Sequence, residues 1–242
     1  MSELYRECRA LYEAGFPGES EAFTDALFDA YFPDCVRMIS CGGEVASMLF
    51  SIPYPVQSAC GVIDARYLYG VVTHPAHRGK GLARELIARE AASHPVFLRP
   101  MQPSLFDFYA RAGLLPFSPI KTLFGLAGSA APGCRMLTPG GYLALRDRFA
   151  TAPVCRMTGE FLGLALVTGG LAAYGEQAAA LYDREGDTVI FKEWWGDPDF
   201  APRLAAFLSA ARYELRLPHP DGEPFGVMSG LSQDTVFLAA MD

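Results

Sequence analysis

A short run of glycines and basic residues offers the clearest chemistry in this sequence. The run, RGKG at residues 78–81, lies between an apolar segment that ends at Thr73 and an amphipathic segment that begins at Leu82. A helix start exposes unpaired backbone N–H groups and carries about half a positive charge, so it attracts phosphate. Glycine lets the backbone approach an anion closely, and the flanking Arg78 and Lys80 add positive charge. The run therefore predicts a diphosphate-binding loop.

The glycine spacing excludes two common phosphate-binding loops. A nucleoside-triphosphate loop needs four residues between its first glycine and a Gly-Lys-Ser/Thr ending, and the dinucleotide fingerprint needs Gly-x-Gly-x-x-Gly in the first strand–helix unit. Neither pattern occurs in this sequence. An ordinary exposed strand-to-helix turn is the alternative interpretation of the run.

The segments on both sides of the run alternate between helical and strand periodicity. The predicted helices cover residues 4–14, 21–31 and 82–93, and the predicted strands cover residues 36–40, 44–53, 66–73 and 96–98. Two glycines, Gly42 and Gly43, are typical of a tight turn between the first two strands. These elements predict a mixed α/β unit in which one strand leads directly into the basic loop.

The loop and its surroundings resemble the acetyl-coenzyme A signature of the Gcn5-related N-acetyltransferase (GNAT) family. The signature is RxxGxA at residues 78–83 after the strand VVT at residues 71–73, and the other elements occur in the family's order. The segment FYARAGLLPF at residues 108–117 is similar to the family's tyrosine-bearing helix that ends in glycine. The resemblance implies an α/β (α+β) fold whose mixed, mostly antiparallel central sheet is flanked by helices. It also implies transfer of an acetyl group from acetyl-coenzyme A to an amine.

The composition is that of a globular protein. The 242 residues are 51% hydrophobic and 19% charged, which excludes a disordered chain, and a chain of this length can bury a substantial core. The net charge of -7 argues against a nucleic-acid partner, because neutralising many phosphates needs a basic face. The basic run is a local exception in an acidic protein.

The cysteine, histidine and hydropathy patterns favour neither a metal site nor a membrane segment. The six cysteines contain no Cys-x-x-Cys pair and the four histidines lack ligand spacing, so we expect no metal. The sequence has no signal-peptide pattern and no run of about 18 apolar residues, so we expect a cytoplasmic protein without a membrane partner. The oligomeric state, including a homo-oligomer, stays open.

The second half of the sequence repeats the first half in outline. Residues 118–139, rich in Gly, Ala, Pro and Ser, predict a crossing between two lobes. After it we expect helices at residues 141–150 and 198–211 and strands at residues 161–167, 177–182, 188–195, 213–217 and 225–228. No second basic glycine loop follows Trp195, so the second half should not bind a coenzyme.

The two halves together are similar to paired-lobe acetyltransferases related to the Eis (enhanced intracellular survival) group. The resemblance implies an acetyl-coenzyme A-binding GNAT domain at residues 1–130 and a smaller, degenerate GNAT-like lobe at residues 131–242. Members of the Eis group carry a further sterol-carrier-like domain. This sequence stops before it, so the acceptor chemistry of that group does not transfer.

The resemblance assigns roles to individual residues. The strand would pair with the pantetheine arm, the loop would hold the diphosphate, the Val71 amide would polarise the thioester carbonyl, and Tyr109 would protonate the departing thiolate. Gln102 stands where the family has an asparagine. The expected coenzyme-binding residues are Val71, Val72, Thr73, Arg78, Gly79, Lys80, Gly81, Leu82, Ala83 and Gln102, and the expected catalytic residue is Tyr109. The alternative for Tyr109 is a packing aromatic whose hydroxyl bonds a backbone group.

No residue pattern in the sequence identifies a general base. Glu44, Asp64 and Glu193 are near predicted strands, but each is expected to be a solvated surface carboxylate. His74 has suitable chemistry, although beside Pro75 the alternative is that it caps the turn.

The acceptor is an amine of unknown identity. The segment FKEWWGD at residues 191–197 suggests an aromatic, anionic wall for a cationic amine, but we favour a packing interpretation in which Trp194 and Trp195 alternate across a strand. Two function classes stay open: an N-acetyltransferase acting on a primary amine of a small molecule or peptide, and an acyl-coenzyme A-binding sensor or inactive relative.

Overall fold

The computed structural model of the protein describes residues 2–238, which fold into two compact units. Unit 1 contains the residues up to Phe117 together with Gly226–Gln233, and unit 2 contains Ser118–Phe225 together with the residues from Asp234 onward. The expected domains, residues 1–130 and 131–242, stay a prediction. Within residues 2–238, none of the helices combines the length and the hydrophobicity that a membrane span requires.

Unit 1 alternates helices and strands in the order that the sequence predicts. Its elements are α1 (Glu3–Gly15), α2 (Glu21–Tyr31), β1 (Val36–Cys41), β2 (Glu44–Pro53), β3 (Val56–Ser58), β4 (Gly61–Ile63), β5 (Arg66–Thr73), α3 (Leu82–Ser93), β6 (Val96–Leu98) and α4 (Phe106–Arg111). Helices α1 and α2 begin at serines whose side chains accept a backbone N–H at 3.2 Å, Ser2 from Tyr5 and Ser20 from Phe23. The short hairpin of β3 and β4 is absent from the sequence-based prediction.

The elements after α4 belong mostly to unit 2, and the chain passes once more through unit 1 at Gly226–Gln233. The elements are β7 (Leu115–Leu126), β8 (Cys134–Met136), α5 (Pro139–Phe149), β9 (Val154–Cys155), α6 (Gly159–Ala165), β10 (Gly170–Tyr174), β11 (Ala178–Glu185), β12 (Thr188–Gly196), α7 (Ala201–Phe207), β13 (Arg212–Pro218) and β14 (Glu223–Ser229). Most of β14 belongs to unit 1, where it pairs with β6.

The sheet of unit 1 has the strand order β1-β2-β5-β6-β14. Strands β5 and β6 run parallel, and the other neighbours run antiparallel. Gly42 and Gly43 close the β1–β2 hairpin with φ values of 66° and 92°, the positive values that a tight two-residue turn requires. Helices α1 and α3 pack on β2 and β5. The mixed, mostly antiparallel sheet with flanking helices confirms the predicted fold class.

The sheet of unit 2 has the strand order β7-β13-β12-β11-β10-β8. Strands β12 and β13 run parallel with α7 between them in sequence, just as β5 and β6 enclose α3 in unit 1. The core packs Phe191 and Trp194 of β12 with Leu204 of α7 and Leu215 of β13. Unit 2 therefore repeats the strand–helix–strand crossover of unit 1.

Residues 161–167 do not form a strand, so that prediction is wrong. They belong largely to α6, where the Thr158 side chain accepts the Phe161 N–H at 3.2 Å as an N-terminal cap. Phe161, Leu162 and Leu164 are buried. A short apolar run does not distinguish a buried strand from a buried helix by its periodicity.

Two further expectations for unit 2 need correction. The predicted crossing at residues 118–139 instead contains most of β7, which pairs with β13 over residues 120–126, and all of β8. Residues 121–124 are exposed, so this strand lacks the alternating burial that identifies strands in a sequence. The predicted helix 198–211 is shorter, because α7 ends before Ser209, which has a left-handed φ of 56°.

Candidate active site

Strand β5 loses its neighbour on one side. Within the described residues, β5 and β6 pair only through Arg66 with Val96 and Tyr67 with Phe97. On its other side β5 stays paired with β2 as far as Thr73. The backbone of residues 68–73 is therefore open toward β6, and an open strand edge accepts an added extended chain.

A glycine bulge bends β5 within this open stretch. Two residues of β5, Gly70 and Val71, lie opposite the single Leu49 of β2. Gly70 has a φ of 62°, and a Cβ atom at this position would lie 2.9 Å from Cε2 of Tyr12. Only glycine fits both the conformation and the space. The bulge sets the direction in which the following residues face.

The basic loop after β5 leaves the start of α3 uncapped. Gly79 and Gly81 have φ values of 76° and 80°, a conformation that favours glycine. Within residues 2–238, no protein group accepts a hydrogen bond from the N–H groups of residues 79–84, whereas the Glu85 N–H bonds the Gly81 carbonyl at 2.9 Å. Serine or threonine side chains cap α1, α2, α5 and α6 instead. The start of α3 thus offers free N–H groups to an anion.

One cavity of about 600 Å³ brings together the strand edge, the loop and α4. Its lining includes nine of the predicted site residues, namely Val71, Thr73, Arg78, Gly79, Lys80, Gly81, Leu82, Ala83 and Tyr109. Val72 does not line it, because its side chain lies against Gly15 of α1. Gln102 does not line it either, since it is exposed at the start of the short turn before α4. The roles assigned to these residues stay predictions.

The cavity is more basic than the sequence analysis indicates. Arg84 and Arg111 line it in addition to Arg78 and Lys80, and among the described residues no acidic side chain lines it. Arg78 Nε donates to the Thr73 carbonyl at 3.2 Å, which holds this guanidinium beside the end of β5. Helical spacing could have identified Arg84 in the first turn of α3, and the position of Arg111 one helix away needed the tertiary structure.

Tyr109 lies on α4 with its ring buried and its surface lining the cavity. It is 7% exposed, and burial raises the pKa of Tyr109 to about 12, so the hydroxyl keeps its proton at neutral pH. In the described part of the chain, no protein group forms a hydrogen bond with this hydroxyl. The helix ends just before Gly113, which has a φ of 87°. The alternative from the sequence is that the Tyr109 hydroxyl bonds a backbone group, and the structure shows no such bond in the described residues.

Three of the residues considered as bases do not line the cavity. Glu44 and Asp64 are exposed, as expected. His74 accepts the Ala76 N–H through Nδ1 at 3.3 Å, which is the turn-capping arrangement.

Glu193 contradicts the expectation of a solvated carboxylate. It is 1% exposed, lies 3.1 Å from Arg146 Nε through Oε2, and accepts a hydrogen bond from the Tyr142 hydroxyl. Arg146 also donates to the Cys155 carbonyl at 2.6 Å and lies over the Trp195 ring at 4.9 Å. This network joins α5, β9 and β12 inside unit 2. Hydrogen bonding within a core, which the sequence pattern does not reveal, explains the burial.

The tryptophan pair fits the packing interpretation. Trp194 is 2% exposed and packs against Phe191 with ring centroids 5.0 Å apart, and Trp195 is 8% exposed beneath Arg146. Neither ring is free to form an exposed wall for a ligand.

The counterpart of the basic loop in unit 2 is acidic. Between β12 and α7, the Asp197 side chain accepts the Asp199 N–H at 2.9 Å and caps a short 3₁₀ turn. Two carboxylates at a helix start repel phosphate. The expectation that unit 2 binds no coenzyme comes from the missing basic glycine loop and stays a prediction, with which this charge agrees.

The N-terminal half of the chain matches a model of a protein family. Residues 2–114 match the model described as an acetyltransferase (GNAT) domain. This range contains the cavity and every predicted site residue. No curated protein matches the chain at a significant level.

Solved structures share the fold over nearly the whole chain. A protein from Enterococcus faecalis V583, described as a conserved protein of unknown function and probable N-acyltransferase, aligns with a TM-score of 0.73 and 13% identity over 93% of this chain and 70% of its own. Eis1 from Mycobacterium abscessus aligns with a TM-score of 0.64 and 11% identity over 97% of this chain and 71% of its own. A tandem GNAT protein from the clavulanic acid biosynthesis pathway aligns with a TM-score of 0.53 and 9% identity over 93% of each chain. At identities this low, the alignments show only a shared fold, which is that of a paired-lobe protein.

Proposed function

We propose, because residues 2–114 match the model of a GNAT acetyltransferase domain, that the protein moves an acetyl group from acetyl-coenzyme A to a primary amine. The amine belongs to a small molecule or peptide and attacks the thioester directly. The observation that carries the proposal is that the open edge of β5, the uncapped start of α3 and Tyr109 all line the same cavity.

The diphosphate of the coenzyme binds at the start of α3. The free N–H groups of residues 79–84 donate to its oxygens, and the positive end of the helix attracts its charge. A Cβ atom on Gly79 would meet nothing within 4 Å, so the space above this glycine is open to a ligand. Arg84 and Arg111 supply further positive charge from two helices.

The pantetheine arm pairs with β5 as an added strand. Its amide groups exchange hydrogen bonds with those N–H and C=O groups of residues 68–72 that face away from β2 and that β6 leaves open. This pairing places the thioester near Val71, whose N–H polarises the thioester carbonyl. Holding the amine beside the thioester removes much of the entropic cost of a bimolecular step.

Tyr109 supplies the proton that the thiolate needs. Its raised pKa keeps the hydroxyl protonated at neutral pH, and the absence of a protein partner in residues 2–238 leaves the hydroxyl available to the sulfur. The same cavity surface therefore holds the coenzyme and the acid.

A second candidate is an acyl-coenzyme A-binding sensor or an inactive relative. The observation that favours it is the charge of the cavity, since no acidic side chain in the described residues lines it as a base. A cytoplasmic location, the absence of nucleic-acid and membrane partners, and the oligomeric state stay predictions.

Two measurements on the purified protein separate these candidates. Isothermal titration with acetyl-coenzyme A measures binding, and thiol release across a panel of primary amines measures transfer. An acetyltransferase binds the coenzyme and releases thiol above the hydrolysis rate with at least one amine. Binding without amine-dependent release supports the sensor, and no binding at all refutes both.

A further inference from the structure

The two faces of β5 have different neighbours. Val71 lines the cavity, whereas Val72 lies against Gly15 of α1 and Tyr69 stacks on Phe16 at the end of α1, with ring centroids 6.4 Å apart. Because β6 pairs only with the first two residues of β5 in the described structure, the sheet is open here. Only Gly70 separates Tyr69 from Val71 along β5, so the α1 face at Tyr69 lies beside the residue at which the proposed thioester is held.

A carboxylate lies on the α1 face beside this opening. The Tyr69 hydroxyl donates to Glu19 Oε1 at 2.8 Å, and the Tyr12 hydroxyl donates to Tyr69 at 3.4 Å. Two further rings border Tyr69, Phe16 at 6.4 Å and Phe23 at 6.2 Å between ring centroids. Glu19 and Phe16 are partly exposed, so a molecule from solvent can reach them.

Glu19 combines a hydrogen bond to a buried tyrosine with the lack of a cationic partner in the described residues. Glu13 pairs with Arg9 and Glu90 pairs with Arg37, but within residues 2–238 no Lys, Arg or His side chain forms an ion pair with Glu19. A carboxylate among aromatic rings suits an ammonium group, which the charge attracts and the ring faces stabilise by cation–π contact. The net charge of -7 further favours the approach of a cation.

We propose that Glu19, Tyr69, Phe16 and Phe23 form the acceptor site, which holds a primary ammonium group on an apolar body. Glu19 is the base that removes the proton of this ammonium group, and Tyr69 is a positioning residue that fixes the carboxylate. The inference rests on the proposed acetyl transfer and adds to it the class of acceptor and the missing base.

The proton and bond changes balance without any further reactant. Glu19 takes one proton from the ammonium group, and the nitrogen lone pair then forms the N–C bond to the thioester carbonyl carbon. The C–S bond breaks, and the thiolate takes the Tyr109 proton. The second proton leaving the nitrogen returns to the Tyr109 phenolate, and Glu19 releases its proton to water. The products are the acetamide, free coenzyme A and one proton.

Glu19→Gln tests this proposal because the amide oxygen can still accept the Tyr69 hydroxyl while the charge is lost. Thiol release is measured at saturating acetyl-coenzyme A with phenethylamine and hexylamine, which are cationic at neutral pH, and with hydroxylamine, which is neutral there. We expect kcat/KM to fall about 100-fold for the two cationic amines and to stay within about twofold for hydroxylamine. The acetyl-coenzyme A Kd stays unchanged.

Two further variants provide a charge control and an independent test of the site. Glu13→Gln removes the same charge from an exposed position on α1 and should leave all three amines unaffected. Phe16→Leu keeps Glu19 and should raise KM for phenethylamine about tenfold with little change in kcat, because a ring contact is lost. Phe16→Leu also tests the site independently if Glu19→Gln fails to fold.

The outcomes separate this inference from the proposed function. If Glu19→Gln and Phe16→Leu both retain wild-type rates with phenethylamine and hexylamine, the acceptor site is refuted and acetyl transfer stands. An equal loss with hydroxylamine also refutes it, because the effect is then not on the ammonium group. If the wild-type protein releases thiol with other amines of the panel but not with phenethylamine or hexylamine, the acceptor class is refuted and acetyl transfer stands. If it releases no thiol with any amine of the panel, the proposed transfer fails and this inference falls with it.

Discussion

Replacing Tyr109 by phenylalanine removes one oxygen atom from the candidate active site. The ring is 7% exposed and packs edge-on against Phe108 at 5.1 Å, and these contacts survive the substitution. The hydroxyl has no protein partner in residues 2–238, so its loss leaves no buried group unpaired, and we expect a change in unfolding free energy below about 1 kcal/mol. Loss of a general acid lowers kcat about 10²- to 10⁴-fold, which corresponds to about 3 to 5 kcal/mol in the barrier.

The assay for Tyr109→Phe combines thiol release at saturating acetyl-coenzyme A with the coenzyme Kd from isothermal titration. We expect kcat to fall and Kd to stay within about twofold, because the diphosphate contacts lie at residues 79–84. Tyr142→Phe is the matched control, since its hydroxyl bonds Glu193 inside unit 2, and it should cost about 1 to 3 kcal/mol of stability without lowering kcat. A Tyr109→Phe enzyme that keeps its kcat refutes the role of Tyr109.

The pH dependence of kcat gives a second test of the same residue. The proton donor is the protonated hydroxyl, so activity due to Tyr109 is present below its pKa and is lost as the pH rises through about 12. We therefore expect no alkaline loss of kcat between about pH 7 and pH 10, within the range where the protein stays folded. A fall of kcat centred near pH 8 would contradict this assignment.

Three further predictions concern the loop, the core of unit 2 and the thiols. Gly81→Glu should weaken acetyl-coenzyme A binding at least about 100-fold in isothermal titration, because a carboxylate enters the phosphate site on a backbone with a φ of 80°; unchanged affinity would refute the site. Arg146→Met should lower the free energy of unfolding by about 3 to 5 kcal/mol in urea titration, since it leaves the buried Glu193 carboxylate without its cationic partner; a loss below about 1 kcal/mol would contradict this. The exposed Cys60 should react with iodoacetamide at neutral pH, whereas the buried Cys8, whose pKa is raised to about 11 mainly by desolvation, should not; rapid labelling of Cys8 by mass spectrometry would contradict its burial.

The elements of unit 1 could be predicted from the sequence because each has a local signal. The bounds 21–31, 44–53, 66–73 and 82–93 are the observed ones, since a serine cap, two apolar runs between turn residues and the glycine loop mark them. The sequence predicts the basic loop at the end of β5 for the same reason. Nine of the predicted site residues line one cavity, because the loop, the strand and α4 converge there.

The errors fall where tertiary contacts override local patterns. Glu193 resembles any strand carboxylate in the sequence, and its burial depends on Arg146, which lies 47 positions away along the chain. The gap between β5 and β6 depends on where their pairing stops, which no single segment encodes. Glu19 lies in a loop between two helices, and only the fold brings it to Tyr69 on β5. Strand β7 lacks alternating burial and therefore looks like a linker.

The most direct test of the central claim is a crystal structure of the protein with acetyl-coenzyme A. The account predicts diphosphate oxygens within hydrogen-bonding distance of the N–H groups of residues 79–84 and a pantetheine arm paired with residues 68–72 of β5. A complex in which the coenzyme lies elsewhere, or in which residues 79–84 contact no phosphate, would contradict it.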